Sequence, residues 1–134
     1  MNYRLEVVDS FKKDVKKLSK RYRSIKSDLQ YLTIQFTNNN PKEIGIPLGD
    51  NCYKIRLKNS DNTKGKSGGY RVVYFIIDTD KTITLLSIYS KSDIENISEN
   101  NLDKRILENL NKNKSLTTSI SSKDDTLNDG LGKI

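Results

Sequence analysis

Apolar and polar residues alternate at period two over residues 3–8 (Tyr-Arg-Leu-Glu-Val-Val), the spacing of a half-buried strand. Asp9 and Ser10 follow as N-cap candidates, and the period then lengthens. Phe11, Val15, Leu18 and Tyr22 recur at 4-3-4 spacing, and so do Ile25, Leu29, Leu32 and Phe36. Each set lines one face of an α-helix. Ser24, with Ser27 and Asp28 in the next turn, is the internal cap signal. A single helix of about 27 residues is long for so small a domain. The pattern therefore predicts two antiparallel helices with a turn near residues 21–24. Asn38-Asn39-Asn40-Pro41 ends the periodicity, and residues 41–51, with two Pro and two Gly, read as loop.

Three strands are predicted next. In residues 52–58, Tyr53, Ile55 and Leu57 face one way and Lys54, Arg56 and Lys58 the other. Residues 70–77 are apolar on both faces except at Arg71, as in a central strand covered on both sides. Asp78-Thr79-Asp80-Lys81 makes a hairpin turn into residues 82–89. Ser98 then caps a helix to about Leu110, with Leu102, Ile106 and Leu110 on one face and Ile97 placed for a hydrophobic staple. The predicted fold is α+β: an N-terminal strand, a two-helix hairpin packed on an antiparallel β-sheet, and a short C-terminal helix. Residues 1–110 form the domain. Residues 111–134 contain five apolar residues and no aromatic, and read as a polar, disordered tail.

Composition narrows the chemistry. The 134 residues include 24 Lys+Arg against 17 Asp+Glu, a net charge of +7, with no His and one Cys. Without His there is no Ser-His-Asp triad, no Cys-His dyad and no HExxH zinc site. One Cys gives no internal disulfide and no cysteine-rich metal knuckle. No acidic cluster of the two-metal nuclease kind stands out. No metal and no cofactor is expected. An apolar run long enough for a membrane span is absent, as is a signal peptide, so the expectation is a soluble, cytoplasmic protein. The positive balance favours an anionic partner, nucleic acid first.

Three constellations carry candidate chemistry. Between Lys12 and Lys26 there are eight Lys/Arg and one Asp. Lys12, Lys13, Lys16, Lys17, Lys20 and Arg21 are the candidate nucleic-acid contacts of that helix, although many such runs are only solvated faces. Second, Lys54, Arg56 and Lys58 share a strand face, and the loop that follows adds Lys64 and Lys66 among three Gly. Lys64-Gly65-Lys66-Ser67 lacks the spacing of a phosphate-binding P-loop. Arg71, inside a buried strand, needs an anionic partner: a bound phosphate, or an acid such as Glu43, Asp50 or Glu95. Third, Tyr89 and Lys91 close the last strand. Cations and a phenol converging on one sheet face suit RNA cleavage, in which a 2′-OH attacks the adjacent phosphate and fixed cations stabilise the charge that develops. A lysine whose pKa is lowered by neighbouring cations, or a Tyr, would move the proton.

The stretch Lys64-Gly-Lys-Ser-Gly-Gly-Tyr-Arg-Val-Val-Tyr-Phe resembles the RelE/ParE/HigB toxin superfamily of bacterial toxin–antitoxin modules. Leu85-Leu-Ser-Ile-Tyr-Ser-Lys-Ser-Asp, Ile97-Ser, Phe11-Lys-Lys-Asp-Val-Lys-Lys-Leu and Asn40-Pro41 fit the same pattern. The resemblance covers about residues 5–110 and is nearest the HigB-like RelE branch, whose members cleave mRNA on the ribosome and are neutralised by a cognate antitoxin. It implies catalytic roles for Lys54, Arg56, Lys66, Arg71 and Lys91, and RNA or ribosome contacts for Lys58 and Lys64. Some relatives place a Tyr or His beyond the last strand for proton transfer. Here that place holds Ile97, and Tyr89 or Tyr70 stands in.

Two other readings stay open. A ParE-like toxin binds DNA gyrase and cleaves nothing, but that branch usually lacks the basic set seen here. A degenerate nucleic-acid-binding domain is the third, and the missing Tyr or His beyond the last strand keeps it open.

Overall fold

The computed structural model describes residues 3–61, 68–94 and 97–112. Strand β1 (Arg4–Val7) leads into helix α1 (Asp9–Ser19), a turn, and helix α2 (Ile25–Asn38). The one-turn helix α3 (Pro41–Ile44) and the short strand β2 (Ile46–Gly49) follow. Strands β3 (Cys52–Leu57), β4 (Tyr70–Ile77) and β5 (Thr82–Ser90) come next, then a 3-10 turn (Lys91–Asp93) and helix α4 (Glu99–Lys112). The five strands form one sheet in the order β1-β5-β4-β3-β2.

The α+β class and the two-helix hairpin hold. The break falls at residues 20–24, where Asp61 accepts from the Ser24 N–H and Asp28 accepts from the Ser24 and Ser60 hydroxyls. The sheet, expected to be antiparallel, is mixed: β1 pairs in parallel with β5, from Arg4↔Thr82 to Val7↔Leu85. The hairpin α1–α2 is the crossover that carries the chain away from β1 before it returns, which alternation within a strand does not reveal.

The segment 41–51, expected to be loop, holds α3 and β2. Pro41 occupies the first turn of α3, where its missing N–H costs nothing, and the Asn40 side chain accepts from the Lys42 N–H at 3.0 Å. β2 pairs with β3 through a two-residue turn in which Asp50 (φ 53°) and Asn51 (φ 65°) both take positive φ, as a type I′ hairpin requires.

One face of the sheet meets α1 and α2. Phe11, Val15, Leu18, Ile25, Leu29, Leu32 and Phe36 pack on Leu57, Tyr70, Val72, Tyr74, Ile76, Ile83, Leu85 and Ile88. The predicted helical faces are thus the buried ones. β1 covers β5 only as far as Leu85. Beyond it, α1 takes over: the Ile88 N–H donates to Asp14 at 3.1 Å and the Ser10 hydroxyl donates to the Leu86 carbonyl at 3.1 Å. Asp14 also accepts from the Ser87 hydroxyl at 3.0 Å. Burial pushes its carboxyl pKa up against those bonds and the nearby Lys17. The single acid of the basic run is therefore turned inward.

The other face meets α4, whose Ile106 and Leu107 pack against Cys52, Val73 and Leu86. The expected face of Leu102 and Ile106 is rotated, and the Leu110 side chain lies outside what the structure describes. Asp103 is buried at 4% exposure, whereas Leu102 is only half-buried. Ser98 does cap the helix, its hydroxyl accepting from the Asn101 N–H at 3.2 Å. Of residues 111–134, expected to be a tail, Asn111 and Lys112 end α4, and 113–134 lie outside the described residues.

Candidate active site

The site lies on the sheet face beneath α4. Strand alternation sends Lys54 to the side opposite Ile55 and Leu57, and β3–β4 pairing sets Arg56 against Arg71 and Lys54 against Val73. On the far side Arg71 pairs with Tyr89. Arg56, Arg71 and Tyr89 therefore form one row across three strands, with Lys54 one step along β3 and Lys91 just past the end of β5.

Arg71 is 2% exposed, the largest fully buried side chain among the described residues. Its Nη1 lies 3.4 Å from both the Gly69 and the Tyr70 carbonyl oxygens. The Gly69 carbonyl also accepts from the Lys91 N–H at 3.1 Å, which ties the far end of β5 to the start of β4. A Cβ at Gly69 would lie 2.8 Å from the Leu57 carbonyl oxygen. Glycine here permits a close approach to the chain's own backbone.

The anionic partner of Arg71 comes from α4. Glu99 Oε2 is 3.6 Å from Arg71 Nε and 2.5 Å from Lys54 Nζ, and Glu99 Oε1 is 3.9 Å from Lys91 Nζ. One turn further on, Asp103 Oδ2 accepts from Lys54 Nζ at 2.7 Å and Oδ1 accepts from the Tyr89 hydroxyl at 2.9 Å. Lys54, Arg71, Lys91 and Tyr89 are thus brought together around two carboxylates.

Those carboxylates reverse the expected electrostatics. Burial favours a neutral Lys54, but the hydrogen bonds and charges of Asp103 and Glu99 outweigh it and leave the pKa above the ordinary lysine value. Lys54 is therefore not a lysine lowered by neighbouring cations. Burial raises the Glu99 carboxyl, yet the Lys54 hydrogen bond and the charges of Lys54, Arg71 and Lys91 bring it below the ordinary value. Burial, followed by the hydrogen bond to Asp103, lifts the Tyr89 phenol well above its ordinary value. At neutral pH Tyr89 keeps its proton and Lys54 keeps its charge.

Other sequence-predicted residues lie elsewhere. Arg56 and Lys58 are exposed. Lys64 and Lys66 are outside the described residues. Lys13, Lys16 and Lys17 are exposed and Lys12 half-buried on α1, and Lys20 and Arg21 are exposed in the turn after it, in the layer opposite α4. Arg21 reaches toward the site: its Nη1 is 2.6 Å from Asp93 in the turn that carries Lys91.

Tyr70, a proposed substitute for the absent His, faces the helical layer, packed edge-on against Tyr22. It is not part of this site. Glu99 and Asp103 were missed by sequence reading. Their spacing of four on the last helix, continuing to Ile106, was the available signal. Among the described residues no group of His, Cys, Asp and Glu is arranged to hold a metal ion. No helix among them is long and apolar enough to cross a membrane.

No family model matches the chain, and no curated protein matches it. Several solved structures are similar. The isolated E. coli RelE toxin is 24% identical over 78% of this chain and 99% of that one, with a TM-score of 0.47. A mutant E. coli RelE toxin in the free state is 23% identical, covering 69% of this chain and 86% of that one, with a TM-score of 0.48. The archaeal RelE–RelB complex from Pyrococcus horikoshii is 22% identical over 69% and 99%, with a TM-score of 0.43.

Proposed function

We propose that this chain is the toxin of a type II toxin–antitoxin module, a metal-independent endoribonuclease that cleaves mRNA on the ribosome in the cytoplasm. The observation that carries the reading is the set of three cations, Lys54 of β3, Arg71 of β4 and Lys91 just past β5, gathered around a single carboxylate. Surrounding three cations around one anion on a rigid sheet suits a phosphodiester. The sequence resemblance to the RelE/ParE/HigB superfamily supports the same reading.

In the reaction the substrate's 2′-OH attacks phosphorus and the bond to the 5′ oxygen breaks, leaving a cyclic phosphate and a 5′-OH end. The 2′-OH gives its proton to solvent water, and the 5′ oxygen takes one from Tyr89, which regains it from water. Lys54, Arg71 and Lys91 stabilise the negative charge that grows on the phosphoryl oxygens. Tyr89, held protonated, donates toward the leaving oxygen. Arg56 and Lys58, exposed beside the site, take neighbouring phosphates, and the resemblance gives Lys64 an RNA contact and Lys66 a catalytic role. The lysines of α1 and Arg21 contact ribosomal RNA or an acidic segment of the cognate antitoxin.

Brief induction in a bacterium, followed by mapping of mRNA 5′ ends, tests the proposal. New cuts inside translated frames, absent with Arg71→Ala at equal expression, are expected. Growth arrest with intact mRNA and early DNA damage would replace it with a gyrase-directed toxin, and no arrest would replace it with a binding domain.

A further inference from the structure

We infer that Glu99 is a built-in competitor for the substrate phosphate: RNA enters by displacing this carboxylate from Lys54, Arg71 and Lys91, while Asp103 keeps α4 attached. The inference rests on the proposed RNA-cleaving function and concerns regulation of the same site.

The geometry separates the two carboxylates. Glu99 reaches all three cations with its two oxygens, as the two non-bridging oxygens of a phosphodiester would. A phosphate and the Glu99 carboxylate cannot both occupy that place. Asp103 touches only Lys54 and, on its other side, Tyr89. Their surroundings differ as well. The Glu99 side chain is 24% exposed and sits on the first residue of α4, in the turn whose N–H groups have no intrahelical partner. The Asp103 side chain is 5% exposed, one turn inside the helix, next to the Ile106–Leu107 contact with the sheet. The site thus has a removable anion and a fixed one. Leaving costs Glu99 little, because the carboxylate moves into water and the cations pass to another anion.

A competing intramolecular anion lowers apparent affinity by the fraction of time the site is free. If the site is open about one-tenth of the time, removing the competitor tightens binding about tenfold. Glu99→Gln keeps the shape and removes the charge. Glu108→Gln, exposed two turns further along α4, makes the same change in net charge outside the site.

The test is fluorescence anisotropy of a short, labelled, fully 2′-O-methylated single-stranded RNA, which binds without being cut. The full chain is titrated as wild type, Glu99→Gln, Glu108→Gln and Arg71→Ala. The expected result is binding about tenfold tighter for Glu99→Gln, a change under about twofold for Glu108→Gln, and loss of binding for Arg71→Ala. Equal tightening by both glutamine variants reduces the effect to net charge and overturns the inference. Unchanged or weaker binding by Glu99→Gln, with Arg71→Ala still defective, overturns it and leaves the RNA-binding function standing. Failure of both wild type and Glu99→Gln to bind overturns both. Amide exchange of Glu99→Gln across residues 103–109 must stay as slow as in wild type. Lost protection there would mean that the whole helix had left, which also overturns a role confined to Glu99.

Discussion

The Tyr89 hydroxyl donates a 2.9 Å hydrogen bond to Asp103, so the phenol and the carboxylate fix one another across the interface between β5 and α4. Removing the hydroxyl with Tyr89→Phe takes a donor from a buried, charged acceptor. Hydrogen bonds to charged groups contribute about 1.5–3 kcal/mol, and a loss of that size is expected in urea denaturation. Loss of a proton donor should also lower the cleavage rate about a hundredfold while leaving binding of the methylated RNA unchanged. Full cleavage by a folded Tyr89→Phe protein removes Tyr89 from the chemistry.

Lys54 is engaged by two carboxylates at once. Lys54→Met leaves Asp103 buried with no cation, and breaking a buried pair in this way costs about 3–5 kcal/mol. The double variant Lys54→Met with Asp103→Asn keeps an acceptor for Tyr89 without the stranded charge. It is expected to be more stable than the single variant by about 1–3 kcal/mol. A double variant as unstable as the sum of its parts would mean that the two residues act independently.

Three of the seven tyrosines, Tyr70, Tyr74 and Tyr89, have phenol pKa values raised chiefly by burial. The Tyr70 hydroxyl is buried without a hydrogen-bond partner among the described residues. A raised phenol pKa means that the folded state holds its proton more tightly than the unfolded state. The associated stability is complete below the ordinary tyrosine pKa of about 10 and is lost as pH rises through the folded-state values. Absorbance titration at 295 nm should show these phenols ionising only together with loss of the near-ultraviolet circular dichroism. Ionisation of all seven near pH 10 in the folded protein would contradict the packing.

Gly69→Ala forces a methyl carbon against the Leu57 carbonyl, backbone against backbone. The start of β4 must shift, at a cost of about 1–3 kcal/mol. The Gly69 carbonyl meets both Lys91 and Arg71, so cleavage should fall more steeply than stability. Loss of activity in step with the unfolded fraction alone would show that the strand start does not position the site.

Residues whose environment is set by their own element were legible in the sequence. Tyr70–Ile77 is apolar on both faces because helices cover it on both sides, and the predicted strand has the same bounds as the observed one. Phe11, Val15 and Leu18 are spaced as a helical stripe and are buried as one. Arg71 was identifiable because a charge inside a buried strand demands a partner, and Lys54 because alternation places it on the basic face of its strand. The partner's identity was not legible. Glu43, Asp50 and Glu95 were plausible by type, and the choice of Glu99 depends on where α4 crosses the sheet. Asp103 was hidden in the same way, since a buried carboxylate occupies a position where periodicity expects an apolar residue. The parallel pairing of β1 with β5 joins segments more than seventy residues apart, beyond the reach of local alternation.

The contacts of α1 with the far half of β5 bear on how the chain behaves in a crowded solution. Among the described residues β5 has no neighbouring strand on that side from Leu86 onward, and a bare strand margin invites pairing with other copies of the chain. Ser10 occupies the Leu86 carbonyl and Asp14 the Ile88 N–H, so the docking points for an incoming strand are already taken by side chains. Helix α1, with its four lysines, thus covers this part of the sheet margin, and like-charge repulsion between those lysines in separate molecules keeps approaching chains apart.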